Sequence, residues 1–413
     1  MLESTFVVVG LSHRTAPVEV RERFWMSGCR QAEALSSMSQ AEGIEEVLVF
    51  STCNRTEFVV WGDATLAVNS ILRYLTAEYG LKLCEWNSFY RLLDDEALAH
   101  AFRVSCGLDS MCIGEEQIGR QVSSAWQQAR NAGSSGRWLD AILRKALAVR
   151  RRVRKETALG SHLVSAPFAA VELAEQIFGS LATRNIVLLG SGKLGEATAK
   201  ALVGRGAGSV SVVNRTDARS EELAQQFGVQ ALAWADRGTV LAQADLVVGA
   251  TGAPEFVFTT DDLSRRASDG KGRKLVLIDL ALPRDIDPAV REFDGVVLYD
   301  LEDLERAVEP RSQPRAGERE AERIVLAETQ GFRKALLADQ PAPELAALRR
   351  RLNEICRQEL ESFRLEQGPF PKDQDQLIAA VSARITHKIA GSLARELRGH
   401  GESRKLGRMS AAV

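Results

Sequence analysis

The sequence predicts a multidomain α/β plus α protein. It has an N-terminal α+β domain over 1–156, a doubly wound Rossmann-type domain over 157–304 and a helical domain over 305–413. Three observations carry this reading. Between about 160 and 300, apolar strand-like runs alternate with helical patterns at the interval of βαβ units, as a parallel sheet covered on both faces requires. Before that stretch, β-rich runs and helical patterns mix without so regular an alternation. After Tyr299 a breaker-rich joint, EPRSQPRAG, leads into a charged stretch almost without strand signal.

In the first domain FVVVGLS (6–12) and EVLVFST (46–52) read as buried strands, with EFVVWG (57–62) as their neighbour. Helical spacing covers 17–26, 30–41, 65–79, 94–105 and 115–132, and a long basic helix covers 137–156. The strands of the second domain are NIVLLG, SVSVVN, LVVGAT, KLVLID and VVLYD. In the third, Leu345, Leu348, Leu352 and Ile355 share one helical stripe. Leu377, Val381, Ile385, Ile389, Leu393 and Leu397 share another, with EQGPFPKDQD (366–375) as the turn between them. So elongated a module has little core of its own, so its stripes predict a homodimer.

A formal charge of −2 supplies no global field for nucleic acid, and DNA is not an expected partner. Six cysteines without a C-x-x-C pair argue against a disulfide framework or a metal site and for a reducing compartment. The first residues lack the features of a signal peptide, and no apolar run reaches the roughly 18 residues of a membrane helix. The expected location is the cytoplasm.

Gly190-Ser191-Gly192-Lys193-Leu194-Gly195 follows one predicted strand and opens the next helix. A G-x-G-x-x-G at such a junction is a dinucleotide site: glycines let backbone approach a pyrophosphate, and the helix start supplies N–H groups. The next strand ends in Asn214-Arg215-Thr216, where an NAD site would carry an acid for the ribose. Arg215 can instead fork onto a 2′-phosphate, so NADPH is the expected cofactor. Ala250-Thr251-Gly252 should line the nicotinamide side.

In Ser51-Thr52-Cys53-Asn54-Arg55-Thr56-Glu57 an extended backbone would project Cys53 and Arg55 together. A nearby guanidinium favours the nucleophilic thiolate. A packing cysteine remains an equally good reading of the pattern alone. His100 lies on an amphipathic helix, and GLDS (107–110) and GEEQI (114–118) form polar loops.

Together with GLSHRTAPVEVRE (10–22), FAAVELA (168–174), GSGKLGE (190–196) and ALPRDIDP (281–288), these segments resemble the glutamyl-tRNA reductase family over most of the chain. The resemblance implies NADPH-dependent reduction of glutamyl-tRNA to glutamate-1-semialdehyde through a Cys53 thioester, the first step of five-carbon tetrapyrrole synthesis. It implies His100 as a second catalytic residue. It further implies substrate recognition by Thr52, Asn54, Arg55, Ser110, Glu115, Glu116, Gln117 and Gln121, with Arg55 forking onto a glutamyl carboxylate. Glutamate-1-semialdehyde aminomutase is the implied recipient of the product. Glu116, where the family commonly has Pro, the Ile118-Gly119-Arg120 run and Pro167 depart from the family pattern. The basic helix, with Arg144, Lys145, Arg150, Arg151, Arg152, Arg154 and Lys155, is a candidate tRNA footprint. The alternatives are a small-molecule reductase similar to shikimate dehydrogenase and a non-catalytic NADP- or tRNA-binding regulator. Neither requires STCNRTE. Because Cys53 and the glycine loop fall on different domains, a nucleotide-free chain is expected to hold the two sites well apart.

Overall fold

A computed structural model describes residues 4–159, 165–267, 274–308, 317–338 and 343–368, with scattered positions from 370 to 389. The chain begins with β1 (Ser4–Ser12), α1 (Val18–Phe24), α2 (Gly28–Met38), β2 (Ile44–Ser51) and β3 (Arg55–Asp63). It continues through α3 (Ala64–Tyr79), β4 (Tyr90–Leu93), α4 (Asp94–Cys106), α5 (Gln117–Asn131) and α6 (Arg137–Glu156). The four strands form an antiparallel sheet in the order β2-β3-β1-β4. Six consecutive residues of β1, Phe6 to Leu11, are buried, as a strand covered on both faces requires. The short edge strand β4 carried no sequence signal, because its four residues are too few to display a period.

Helix α6 is amphipathic, and Glu46 fixes its start. The Glu46 carboxylate accepts from the backbone N–H groups of Gly136, Trp138 and Leu139 at 2.8–3.2 Å, three donors that no intrahelical carbonyl could satisfy. Arg150 points inward from α6 and donates to the carbonyls of Ser105 and Glu116, both at 2.9 Å. Gly119 lets it pass, since a Cβ there would lie 2.3 Å from Arg150 Nε.

The second domain comprises α7 (Ala166–Phe178), β5 (Asn185–Leu189), α8 (Lys193–Gly204), β6 (Ser209–Val213), α9 (Asp217–Phe227), β7 (Gln230–Leu232) and α10 (Arg237–Gln243). It ends with β8 (Leu246–Gly249), α11 (Thr260–Ala267), β9 (Leu275–Asp279), β10 (Val296–Tyr299) and α12 (Leu301–Val308). All six strands are parallel, in the order β10-β9-β8-β5-β6-β7. Alternate residues of β5 feed two cores: Ile186 and Leu188 on one face, Val187 and Leu189 on the other. The order reverses between β5 and β8, where doubly wound sheets open a ligand crevice. Met111 and Cys112 of the first domain join the core that contains Ile186, and Cys53 packs against it.

Helix α13 (Glu318–Ala338) sends its first half back to the N-terminal domain. There Glu322 pairs with Arg103, and Glu328 pairs with both Lys145 and Arg152. A second compact unit begins at Phe332. Within it lies α14 (Pro343–Gln367), and just past its end Phe370 stacks on Phe363 at 5.5 Å. Ile355, Val381, Ile385 and Ile389 are about half exposed. The side chains of Leu345 and Leu348, and the whole of Leu377, Leu393 and Leu397, lie outside the described residues. Among the described residues no helix is long and apolar enough to cross a membrane.

Candidate active site

Cys53 sits in the tight turn between β2 and β3, closed by a Thr52 N–H to Arg55 carbonyl bond of 2.8 Å. The expectation of an extended segment is corrected here, because 52–54 leave the strand to make that turn. Cys53 and Arg55 nevertheless border one cleft of about 250 Å³. Thr52, Asn54, Ser110, Glu115, Gln117 and Gln121 line it from the first domain, and Pro167, Leu194 and Thr251 from the second. The two predicted sites therefore converge, against the expected separation. The apolar seam at Met111 and Cys112 and the ion pairs between the domains hold them together.

Arg55 is only 2% exposed and its fork is committed. Its Nη1 donates to Glu57 Oε1 at 2.7 Å, and its Nη2 donates to the carboxylate of Asp109 at 2.9 Å and to the Asp109 carbonyl. A bidentate grip on a substrate carboxylate is thus not available to it. Its Nε–H remains, buried and with no partner among the described residues, as does the Oδ1 of Asn54. One orphaned donor and one orphaned acceptor bordering the same cleft are what a polar ligand would satisfy.

His100 does not line the cleft. Its Nε2 meets Glu57 Oε1 at 2.8 Å, and Tyr90 donates to the same oxygen at 2.5 Å. Burial alone would raise Glu57, but His100 and Arg55 hold its carboxyl well below the usual range. Burial likewise opposes the charge on Arg55, which Glu57, Tyr90 and Asp109 keep protonated. His100 therefore reaches Arg55 through Glu57, two bonds back from the cleft. Glu116 also stands apart, its side chain exposed while its carbonyl anchors Arg150.

Burial pushes the Cys53 thiol up to about 11, and Glu115 adds to this, while Arg21 and Arg55 pull the other way. The expected net activation by the neighbouring guanidinium is corrected: desolvation outweighs it. Glu115 itself is raised by burial, a shift that Ser110 and Arg55 moderate.

The glycine loop fits a dinucleotide. Gly190 has φ +103°, and a Cβ on it would lie 2.7 Å from the Ala250 carbonyl oxygen. A Cβ on Gly195 would lie 2.1 Å from the Gly190 carbonyl oxygen, so helix and loop could not close. The Ser191 hydroxyl is buried without a partner among the described residues. Gly192 caps α8, which starts at Lys193. Asn214 Nδ2 donates to the Thr216 carbonyl at 3.2 Å, and Arg215 is exposed with its guanidinium 5.6 Å from the Trp234 ring centroid. Behind the loop after β8, Asp285 accepts from the Thr251 N–H at 2.7 Å and bonds its hydroxyl. Burial lifts Asp285 to about 6, although the Thr251 bonds and Arg215 work against it. Sequence reasoning gave no site role to Arg21, Glu57, Asp109, Tyr90 or Asp285. Glu57 was legible as an acid two residues from Arg55 on one strand; Tyr90 had no signal.

The basic helix divides. Arg150 is buried, and Lys145 and Arg152 are paired with Glu328. Arg144, Arg151, Arg154 and Lys155 remain exposed.

Comparison with known proteins follows the same three parts. Residues 9–157 match the glutamyl-tRNA(Glu) reductase N-terminal domain, 172–307 shikimate/quinate 5-dehydrogenase, and 320–413 the glutamyl-tRNA(Glu) reductase dimerisation domain. The glutamyl-tRNA reductase of Syntrophotalea carbinolica is 37% identical over 390 residues, covering 94% of this chain and 88% of its own. That of Bacillus subtilis is 36% identical over 360 residues, covering 86% and 79%. The solved glutamyl-tRNA reductase from Methanopyrus kandleri is 28% identical, with a TM-score of 0.43, over 96% of this chain and 98% of that one. The middle domain is a nicotinamide-dinucleotide domain, and the chain belongs to the glutamyl-tRNA reductase family.

Proposed function

We propose that this chain reduces glutamyl-tRNA(Glu) to glutamate-1-semialdehyde with NADPH, the first step of five-carbon tetrapyrrole synthesis. The observation that carries the reading is the single cleft bordered by Cys53 on one side and by Leu194 and Thr251 of the dinucleotide domain on the other. The Cys53 sulfur attacks the ester carbonyl, its proton leaves with the tRNA 3′ oxygen, and a thioester replaces the ester. Arg55 Nε–H, Asn54, Ser110, Gln117 and Gln121 offer the polar contacts for the glutamyl group, with Thr52 and Glu115 beside them. Gly190–Gly195 would hold NADPH, which would supply the hydride to the thioester carbonyl carbon, with the C–S bond breaking to release the aldehyde and return the Cys53 thiolate. His100 acts through Glu57 to hold Arg55 in place. A small-molecule reductase of shikimate-dehydrogenase type would leave the Cys53 side of the cleft without work.

Cys53→Ser should abolish semialdehyde formation while NADPH still binds, and a labelled glutamyl adduct should form on the wild type alone. Retained turnover in that variant would sink the mechanism. The choice of NADPH rests on Arg215 beside Trp234 with no acid at the end of β6. Losing a charge-assisted contact of about 1.5–3 kcal/mol should weaken NADPH binding roughly tenfold to over a hundredfold in Arg215→Ala. Equal wild-type affinity for NADH and NADPH would contradict it. We further propose a cytoplasmic homodimer built through the C-terminal helices, which hands its reactive aldehyde to glutamate-1-semialdehyde aminomutase.

A further inference from the structure

The segment GLSHRTAPVEVRE has no part in the chemistry above, yet its Arg21 is 2% exposed and reaches the turn that carries Cys53. Its Nη1 donates to the Cys53 carbonyl at 2.8 Å and its Nε to the Ala16 carbonyl at 3.2 Å. Its Nη2 donates at 3.4 Å to Glu302 Oε1, which belongs to α12 at the end of the dinucleotide domain. The same oxygen accepts from the Val18 N–H, the first residue of α1, at 2.6 Å. One guanidinium thus joins the nucleophile's own peptide to a carboxylate of the other domain.

A buried guanidinium needs its anion, because a lone charge there is strongly destabilising. Further links span the same junction, among them a bond of Arg284 Nη1 to Glu19 at 3.0 Å. Arg284 donates to Glu22 from its backbone N–H and side chain at 2.6 and 2.9 Å, and His13 lies 3.1 Å from Glu305. Glu302 is therefore not the sole contact between the domains, but among the described residues it is the carboxylate bonded to Arg21.

We propose that Arg21 is a positioning residue for Cys53, and that Glu302 makes its grip depend on the dinucleotide domain standing against the cleft. The nucleophile is then set for acyl transfer only where the hydride donor can follow. This rests on Cys53 being the nucleophile. The turn around Cys53 is held by the Thr52 N–H to Arg55 carbonyl bond, by the His13 N–H on the Asn54 carbonyl at 2.8 Å and by the Asn54 N–H on the Thr52 hydroxyl at 3.2 Å. Arg21 holds the Cys53 carbonyl itself, the peptide that aims the sulfur. Arg21 also favours the thiolate, alongside Arg55 and against burial and Glu115.

The test uses full-length Glu302→Gln and Arg21→Gln. Iodoacetamide labelling of Cys53 is followed across pH by peptide mass spectrometry, with exposed Cys29 and Cys84 as internal controls. Glu302→Gln leaves the Arg21 charge uncompensated, so the Cys53 midpoint should fall; Arg21→Gln removes that charge, so it should rise. In both, kcat for glutamyl-tRNA should fall about tenfold to a hundredfold, the scale of a lost charged hydrogen bond, while KM and NADPH affinity stay near wild type. Opposite midpoint shifts with lower kcat support the proposal. Wild-type kcat in either variant, or shifts of the same sign, overturns it. Should Arg21→Gln not fold, Arg21→Lys keeps the charge without the fork: the midpoint should stay while kcat falls, and an unchanged kcat overturns the idea. Turnover by Cys53→Ser would instead remove the underlying mechanism. A Cys53 adduct on the wild type, with unaltered kcat in the Glu302 and Arg21 variants, removes this inference alone.

Discussion

At the scale of single residues, the centre of the N-terminal domain is a charge chain, buried at Arg55 and Glu57 and reaching the surface at Arg14. Arg14 and Arg55 share Asp109, and Arg55, Tyr90 and His100 share Glu57. Glu57→Gln keeps the shape but leaves Arg55 with one carboxylate, and should cost about 3 kcal/mol or more at neutral pH, read in chemical denaturation. The sign with pH is fixed by the depressed Glu57 carboxyl. Its stabilisation is present above the ordinary carboxylate range and is lost on acidification, so wild type and variant should converge as pH falls. A gap that widens in acid would contradict the assignment. What the sequence made legible here was composition: Cys53, Arg55 and Glu57 stand together in STCNRTE. The direction of Cys53 was not, because a turn of three residues breaks the two-residue period of a strand. Nor was the commitment of Arg55, since Asp109 arrives from a loop 54 positions away.

At the scale of elements, the glycine loop was readable because its residues are contiguous and lie between a strand and a helix. The support behind it was not, because Asp285 comes from a loop 34 positions beyond Thr251. Gly249 at the end of β8 makes room for it: a Cβ there would meet Asp285 Cβ and Asp279 Oδ1 at 3.0 Å. Both acids are raised, Asp279 by burial and then by Asp285. Between an ordinary carboxylate value and about 6, the folded chain binds a proton at Asp285 that the unfolded chain has lost, so this group lowers stability as pH rises through that window. Asp285→Asn can still bond Thr251 and does not titrate. Relative to wild type, its unfolding free energy should climb by up to about 3 kcal/mol between pH 4 and 6. A constant difference across that range would show that Asp285 does not titrate there.

At the scale of the whole molecule, the three-part architecture was legible because each part has its own hydrophobic period. The convergence of the two sites was not. It depends on Met111 and Cys112 entering the core of another domain, and neither residue advertises that in sequence. The C-terminal stripes await a covering surface. Ile355→Glu combined with Ile385→Glu should convert the dimer to monomer by light scattering, because roughly 25 cal/mol per Å² of apolar burial is replaced by buried like charge. An unchanged mass would place the interface elsewhere.

The pairing of Glu328 with both Lys145 and Arg152 has one more consequence, for the ionic atmosphere around a bound polyanion. Those two cations are already neutralised, and Arg150 is buried, so they hold no phosphate and release no counterions when tRNA arrives. Outside those pairs the exposed cations of this helix are Arg144, Arg151, Arg154, Lys155 and, at its first residue, Arg137. Each phosphate contact contributes about 0.7–0.9 to the slope of log affinity against log salt, so this helix should account for a slope no steeper than about −4.5. Glu328→Gln frees Lys145, while Arg152 keeps its bond to Glu156 at 3.0 Å, and should steepen the slope by about 0.7–0.9, turning an internal salt bridge into a measurable change in how tRNA binding responds to ionic strength.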